Sequence, residues 1–466
     1  MPKKTRRLSN KQINFKLRKL VLTPTDEKLT DAAGLGTLME AFDSTPFSKE
    51  FAKCLPKRLS NRSFGSYRLG LIQMASFIYG HDCLDDLEEF QKDPSLEAVL
   101  RGELVVPKTM GDFLRDFKEE HIEALNGFLA RMSKSIRKHL KETQPDEYKP
   151  GSPVMDIDST PHVQHADQME GLAWNYDNLW CLDSQVVFDE LGLCSNLDLR
   201  SGNTKSGVGA VEQMESVFKN YSYQDEKYFR ADAAYCNQDV MKTCLSLGAK
   251  FTLTANEATT GWEKPGKAIT EWEPWKWSQK QRKKATKRGR ELPKVEVGKF
   301  LWQPSWNDSL RFHVVVKRTW IDREDLFGSG EWKYYGVVTN FNLYFKTAQE
   351  VIEFHSKRGN AENFIREEKY GYDLKHFPCQ KLIANHAFCL LAMVANNMLR
   401  WAALVKRPDK PHYSKKLRRR FIFIPGKVVS HARQLFLKIP IRYYEEVKSL
   451  KEALQLCQNQ SAFNTS

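Results

Sequence analysis

The feature that most constrains the fold is an alternation of strand-like and helix-like segments between residues 154 and 254. Apolar, β-branched runs that predict strands are separated by amphipathic stretches that predict helices. The predicted strands cover residues 154–158, 182–191, 227–232 and 249–254, and the predicted helices cover 209–220 and 238–247. Such an alternation is typical of an α/β sheet with helices packed against it.

The chain that precedes this α/β region is basic and then helical. Residues 1–19 carry eight Lys or Arg and no acid, which is typical either of a DNA-contacting arm or of a solvated tail. Residues 28–145 show Leu-rich helical spacing, and the stretch from Thr109 to Lys141 predicts one long helix.

The chain that follows the α/β region changes character twice. Residues 256–345 hold eight of the eleven tryptophans, an acid-free basic run and two predicted strands, 312–320 and 332–339. Helical spacing then returns. Predicted helices cover residues 347–372, 381–405 and 443–457. A basic cluster at residues 415–420 is compatible equally with DNA binding and with a solvated surface.

Composition narrows the class of protein. The formal net charge of +14 and the pI near 9.2 favour a polyanionic partner, most simply DNA or RNA. The nine cysteines are scattered and include no C-x-x-C pair, which fits a reducing compartment. We expect a cytoplasmic protein, because no signal core is present and the most apolar stretch, residues 383–405, is interrupted by polar residues as in a buried helix.

Carboxylates at predicted strand ends indicate a metal site. Asp156 and Asp158 lie two apart on one predicted strand and so share a face, and Asp232 ends another strand. Glu362 lies on the later predicted helix. Converging Asp and Glu side chains that bind Mg²⁺ or Mn²⁺ are the usual apparatus for cutting phosphodiesters. Taken singly, each acid is more often a cap, a turn residue or part of a surface ion pair.

The predicted helix over residues 347–372 gathers charged groups on one stripe. At about 100° per residue, His355, Arg358, Glu362 and Lys369 fall within roughly 60° of one another. The carboxylate can hold a metal ion while the cations hold phosphates beside it. This stripe therefore points to phosphodiester chemistry on nucleic acid.

Together these residues resemble the DDE transposases of bacterial insertion sequences. The order Asp158, Asp232, Glu362 is similar to their catalytic triad, and His355-x2-Arg358-x3-Glu362-x6-Lys369 is similar to the Y-R-E-K signature of insertion-sequence superfamily four. The sequence around these residues most resembles the insertion-sequence family numbered thirteen-eighty. The matching pieces are Asp156–Thr160, Gln168–Gly171, Arg200–Asn203, Arg230–Asp232, Lys357–Asn363, Lys369–Gly371 and Phe377–Cys379. The chain departs from the signature at His355, where the family has tyrosine.

The resemblance implies an RNase H-like catalytic core interrupted by a mostly β insertion, after an α-helical N-terminal DNA-binding region. It implies two Mg²⁺ ions, with Mn²⁺ as a substitute, on Asp158, Asp232 and Glu362. His355, Arg358 and Lys369 would contact DNA phosphates, and Asp156 would support the site from behind. The expected segments are a basic arm (1–27), the helical region (28–148), the first part of the core (149–255), the Trp-rich insertion (256–345), the second part of the core (346–410) and a basic C-terminal region (411–466).

The function that follows from this resemblance is DNA transposition in a prokaryotic, nucleoid-associated setting. The protein would bind the terminal inverted repeats of its element as a homodimer, cleave the ends and join the 3′-OH to target DNA, and an aromatic of the insertion would stack on an unpaired base. Two alternatives stay open. One is an RNase H-like nuclease without strand transfer, and the other is a non-catalytic DNA-binding protein derived from a transposase.

Overall fold

The computed structural model describes residues 21–58, 64–100, 102–166, 168–322, 330–409, 413–432 and 434–455. Most of the expected basic arm, residues 1–20, lies outside the described residues. Within the described part, the chain forms one large mixed sheet with helices on both faces and a smaller three-stranded sheet. The prediction of a mixed α/β fold is therefore confirmed.

Short helices dominate residues 28–148. A two-residue strand, β1 (Leu29–Thr30), comes first. The helices that follow are α1 (Ala33–Asp43), α2 (Pro46–Cys54), α3 (Ser66–Tyr79), α4 (Leu87–Lys92), α5 (Pro94–Val99), α6 (Pro107–Arg115) and α7 (Glu119–Thr143). Proline at the first position of α2, α5 and α6 begins each of these helices where its missing N–H costs nothing.

The prediction of one helix over residues 109–141 is wrong, because the chain breaks between α6 and α7. The N–H groups of Asp116 and Phe117 bond to carbonyls only three residues back, which closes α6 tightly. Phe117 is buried, with its ring 5.2 Å from that of Phe113. The bend that buries this ring is a tertiary effect that helical spacing does not reveal.

The large sheet places three parallel strands at its centre. Its strands are β2 (Val154–Val163), β3 (Ala173–Trp174), β4 (Trp180–Asp189), β5 (Cys194–Ser201), β6 (Tyr228–Ala231), β7 (Lys250–Thr254), β8 (Glu273–Pro274), β9 (Val295–Trp302), β10 (Phe312–Ile321) and β11 (Glu331–Thr339). Their order is β3-β4-β2-β6-β7-β11-β10-β9-β8, and β5 pairs with β4. β2, β6 and β7 run parallel, and the other pairings are antiparallel.

Helices from the rest of the chain cover this sheet or extend from it. They are α8 (Ala210–Phe218), α9 (Gln238–Ser246), α10 (Glu257–Thr260), α11 (Glu263–Lys267), α12 (Gln279–Lys287), α13 (Ala348–Ser356), α14 (Gly359–Gly371) and α15 (Leu382–Lys406). Side chains of β4 alternate between two cores: Leu182, Val186 and Phe188 pack with α7 and α15, and Val187 packs with α8 and α9. This alternation is what burial of both sheet faces requires.

The Trp-rich segment does not form a sheet of its own. Its strand β11 pairs antiparallel with β7, so β9, β10 and β11 extend the central sheet directly. Strands β9, β10 and β11 are therefore fixed relative to the central strands by continuous backbone hydrogen bonding.

α15 is a long apolar helix that lies inside the protein. Its length and composition would allow a membrane span, but 94% of its most apolar window is buried within the fold. Its polar side chains bond to the neighbouring strand β5: Asn397 bonds to both the N–H and the carbonyl of Cys194 at 2.8 Å. The prediction of a buried helix here is confirmed.

The C-terminal segment returns to the N-terminal helices. It contains α16 (Ser414–Leu417), β12 (Gly426–His431), β13 (Gln434–Lys438) and α17 (Ile441–Gln455). β12 pairs with both β1 and β13. Within the basic cluster, Arg418 is buried and donates to the carbonyls of Phe77 and Ile78, so at this residue the charge serves packing and not DNA binding.

Candidate active site

Two aspartates are brought level by the pairing of the central strands. Asp156 of β2 is in register with Arg230 of the parallel strand β6, so Asp158 and Asp232, each two residues further on, lie level at the same end of the sheet. Burial raises the pKa of Asp158, the Arg358 guanidinium lowers it, and the Asp232 carboxylate raises it again. Asp158 and Asp232 therefore lie close enough to repel each other electrostatically.

Asp232 lies where β6 ends. Its side chain accepts the N–H of Ala234 at 2.9 Å and so caps a single 3₁₀ turn, Ala233–Tyr235. The cap holds one carboxylate oxygen toward the backbone. This is the cap role that is usual for an aspartate at a strand end, and it coexists with a position beside Asp158.

Asp156 is occupied by an internal partner. Arg230 donates two hydrogen bonds to its carboxylate, both at 2.7 Å, and a third at 2.8 Å to the carbonyl of Phe354 in α13. Asp156 is fully buried, and burial raises its pKa to about 6 although Arg230 lowers it. The pair thus joins β2, β6 and α13 directly beneath Asp158 and Asp232.

The prediction of one continuous helix over residues 347–372 is wrong, because α13 ends at Ser356 and α14 begins at Gly359. The N–H groups of Arg358, Asn360 and Ala361 bond three residues back, which is a tighter turn than that of an α-helix. A single helical face therefore does not run through all four residues of the predicted stripe.

Arg358, at this break, links two of the candidate carboxylates. Its guanidinium donates to Asp158 at 3.0 Å and lies 3.9 Å from Glu362. Glu362 is in the first turn of α14 and its side chain is 68% exposed, whereas those of Asp158 and Arg358 are largely buried. Asp158 and Glu362, 204 positions apart in the sequence, thus meet around one cation.

The three carboxylates suit a hard divalent cation. They supply only oxygen ligands, and the Arg358 guanidinium already places positive charge between two of them. Among the described residues, only Asp82, Cys83 and Asp86 bring three ligand atoms within 4.8 Å of one another, so the candidate triad is wider than a closed metal cluster. Tight metal coordination would require Arg358 to move away from Asp158.

His355 points into the sheet. Its ring nitrogens hydrogen-bond to the hydroxyls of Thr252 and Thr254 on β7, at 2.9 and 3.0 Å. The side chain is buried, and burial, with Arg358 and Arg230 nearby, lowers its pKa to about 3. With so low a pKa, His355 is neutral at neutral pH, and its two hydrogen bonds fix α13 on β7.

Lys369 lies at the far end of α14, against β2. Its ammonium donates to the carbonyl of Pro161 at 2.6 Å, three residues beyond Asp158 on the same strand. Burial lowers the pKa of Lys369, while Glu368 and Asp183 raise it. α14 therefore carries cations at both ends of the stretch that crosses β2, with Glu362 near its start.

A buried polar cluster that the sequence did not reveal lies beneath α14. The hydroxyl of Ser184 on β4 hydrogen-bonds to His162 on β2 at 2.7 Å and donates to Glu368 on α14 at 3.0 Å. Burial raises the pKa of Glu368 to about 7 and lowers that of His162 to about 3. The cluster fixes the helix that carries Glu362 to the two strands.

Glu368→Gln should change how stability depends on pH. Because the folded pKa of Glu368, about 7, is above its ordinary 4.5, this group's contribution to stability is fully present below about 4.5 and is lost as the pH rises through 7. Glutamine does not titrate. Urea unfolding at pH 5 and pH 8 gives the free energy of unfolding of each protein. Relative to the unaltered protein, that of the variant should rise by up to a few kcal/mol between pH 5 and pH 8. An equal difference at both pH values would contradict this.

None of the tryptophans of the 256–345 segment is fully exposed to solvent. Trp262 is buried and the other seven are partly buried. Arg318 lies between Trp272 and Trp332, with its guanidinium 4.0 and 4.3 Å from their ring centroids. In this conformation the segment therefore offers no exposed tryptophan for stacking on a base. Its basic run forms the exposed helix α12.

Comparison with known proteins identifies one matching family. A family model described as "Transposase DDE domain group 1" matches residues 14–460, nearly the whole chain. No curated protein matches the chain.

Proposed function

The chain belongs to the family of transposase DDE domains, group 1, and on that basis we propose that it is an active DNA transposase. It would bind the terminal inverted repeats of its own element, cleave the element's ends and join the freed 3′-OH to target DNA. The observation that carries the proposal is the meeting of Asp158 and Glu362 on Arg358, with Asp232 level with Asp158 on the neighbouring strand. The net charge of +14 suits a DNA partner.

In this proposal Asp158, Asp232 and Glu362 hold two Mg²⁺ ions, for which Mn²⁺ would substitute. When bound, such ions activate the attacking oxygen and stabilise the leaving oxygen of an in-line displacement. Asp158 and Asp232 are positioned by paired strands, so their spacing is set by the sheet. Glu362 is exposed on the first turn of α14 and would close on the site when DNA binds.

The two cations would take up phosphate. Arg358 is bonded to Asp158, and its planar guanidinium would exchange this carboxylate for the phosphate next to the scissile bond. Lys369 would provide a point charge near Pro161. His355 does not face DNA in the structure; its part would be to hold α13, and with it Arg358, against β7.

The remaining regions complete the proposal. The parallel centre of the sheet with its antiparallel neighbours would be an RNase H-like core, and residues 256–345 its insertion. The helical region (28–148) and the basic arm would recognise the inverted repeats. Two protomers would pair two ends in the cytoplasm of a prokaryote.

A strand-transfer assay tests the proposal. A labelled duplex from the DNA flanking the coding frame, pre-cut to expose its 3′-OH, is incubated with supercoiled plasmid and Mg²⁺. A transposase joins the label to the plasmid, and EDTA abolishes the joining. A nuclease without strand transfer would nick an uncut duplex and never join it. A non-catalytic relative would bind the duplex and leave both DNAs unchanged.

A further inference from the structure

Two exposed aromatic side chains lie on the β3–β4 hairpin. Trp174 is 63% exposed and Tyr176 is 88% exposed, and Trp174 is the only exposed tryptophan among the described residues. Exposed aromatic side chains on an ordered turn are suited to binding a partner. The stacking aromatic expected from the sequence lies in residues 256–345, where the structure shows no exposed tryptophan.

The strand register places this hairpin beside the site. Cys181 of β4 pairs with Val163 of β2 on one side and with Ala173 of β3 on the other. Pro161, two residues before Val163, accepts the Lys369 ammonium. The hairpin therefore extends from the end of β2 against which Lys369, a proposed phosphate-binding cation on α14, lies. The neighbouring Asp177 raises the pKa of Tyr176 most, and Asp183 and Asp232 add to the rise, which agrees with that location.

The hairpin is rigid enough to hold its rings in place. The Asn175 side chain accepts the N–H groups of Asp177 and Leu179, both at 2.9 Å, and Asn178 adopts a left-handed backbone conformation (φ 57°) that asparagine tolerates. At its base, the Trp180 indole donates to the carbonyl of Ala166 and lies 5.5 Å from the ring of Trp174. Tyr176 projects beyond this support.

We propose that Tyr176, backed by Trp174, stacks on an unpaired base of the DNA next to the scissile phosphate. Resting on the proposed function, the inference adds the part of the protein that holds the DNA open. Every base has a π-face, so stacking of this kind tolerates sequence and selects single-stranded over paired nucleotides. It suits a site in which phosphate is held at Arg358 and Lys369, because the base attached to that phosphate must leave the helix to reach the hairpin.

The test measures binding without chemistry, so that it is separate from catalysis. Two duplexes are compared in Ca²⁺ by fluorescence anisotropy: one carries a four-nucleotide thymidine 3′ overhang, and the other carries the same overhang with abasic sites. The full-length protein should bind the thymidine overhang about 10-fold more tightly. Tyr176→Phe should keep this preference, and Tyr176→Ala should lower it to about 2-fold or less.

Tyr344→Ala is the matched control. Tyr344 is also 88% exposed, but it follows β11, at the opposite end of the sheet from Asp232. Its removal should leave the preference unchanged. Equal binding of the two overhangs by the unaltered protein, or an unchanged preference in Tyr176→Ala, would overturn the inference. Failure of the strand-transfer assay with the preference intact would instead remove the proposed function and leave a DNA-stacking hairpin.

Discussion

Asp232→Asn should abolish cleavage of DNA ends, lowering the rate by about 10²–10³-fold or more, the scale expected when one charge-stabilising group is removed from a transition state. Asparagine keeps the oxygen that caps Ala234, so the turn after β6 should persist. What is lost is the negative charge beside Asp158. The measurement is single-turnover cleavage of a labelled end in Mg²⁺, with binding of the same DNA followed separately in Ca²⁺.

Asp225→Asn is the control for this experiment. Asp225 lies just before the same strand, β6, at the end away from the site, and its carboxylate likewise accepts a backbone N–H, that of Ser222, at 2.8 Å. Each substitution removes one negative charge and keeps a side-chain oxygen that can accept the backbone N–H. Cleavage should be unaffected by Asp225→Asn. Comparable loss in both variants would mean that net charge matters and that Asp232 has no special place in the reaction.

The fold was predictable wherever a segment's own pattern decides its structure. The predicted strands over 227–232 and 249–254 correspond to β6 and β7, and the predicted helix over 238–247 to α9. β5 was missed because its sequence, which includes Asn196 and Asp198, is too polar to read as a strand. Backbone groups of β5 hydrogen-bond instead to side chains that are distant in the sequence. Asn126 of α7, for example, bonds to both the N–H and the carbonyl of Leu197. No local pattern carries such a contact.

The candidate site divides in the same way. The position of Asp232 where β6 ends could be predicted from the pattern, whereas Asp158 lies within β2, which continues to Val163. The partners of the site residues could not be predicted. The pairing of Asp156 with Arg230 depends on the register of β2 and β6, and the burial of His355 depends on how α13 packs on β7. The prediction of one charged helical face was wrong because a tight turn around Gly359 interrupts the α-helix.

Arg230→Met should destabilise the protein by about 3–5 kcal/mol, because it leaves the fully buried Asp156 carboxylate without its cation. The reason is desolvation: a carboxylate that water cannot reach needs a charged or hydrogen-bonding partner. The substitution also removes the bond to the Phe354 carbonyl, which ties α13 to the sheet. Urea unfolding followed by circular dichroism gives the free energy of unfolding of each variant.

The double variant Asp156→Leu with Arg230→Met separates loss of the pair from loss of packing. With both charges gone, no buried ion is left unpaired, so the double variant should recover most of the stability that the single one loses. The same experiment assigns the two aspartates of β2. Because Arg230 occupies Asp156, substituting Asp156 should alter stability first, whereas Asp158→Asn should stop cleavage with little effect on unfolding. If Arg230→Met cost less than about 1 kcal/mol, Asp156 would have to be solvated or protonated without its partner, and it would then be an alternative to Asp158 as a metal ligand.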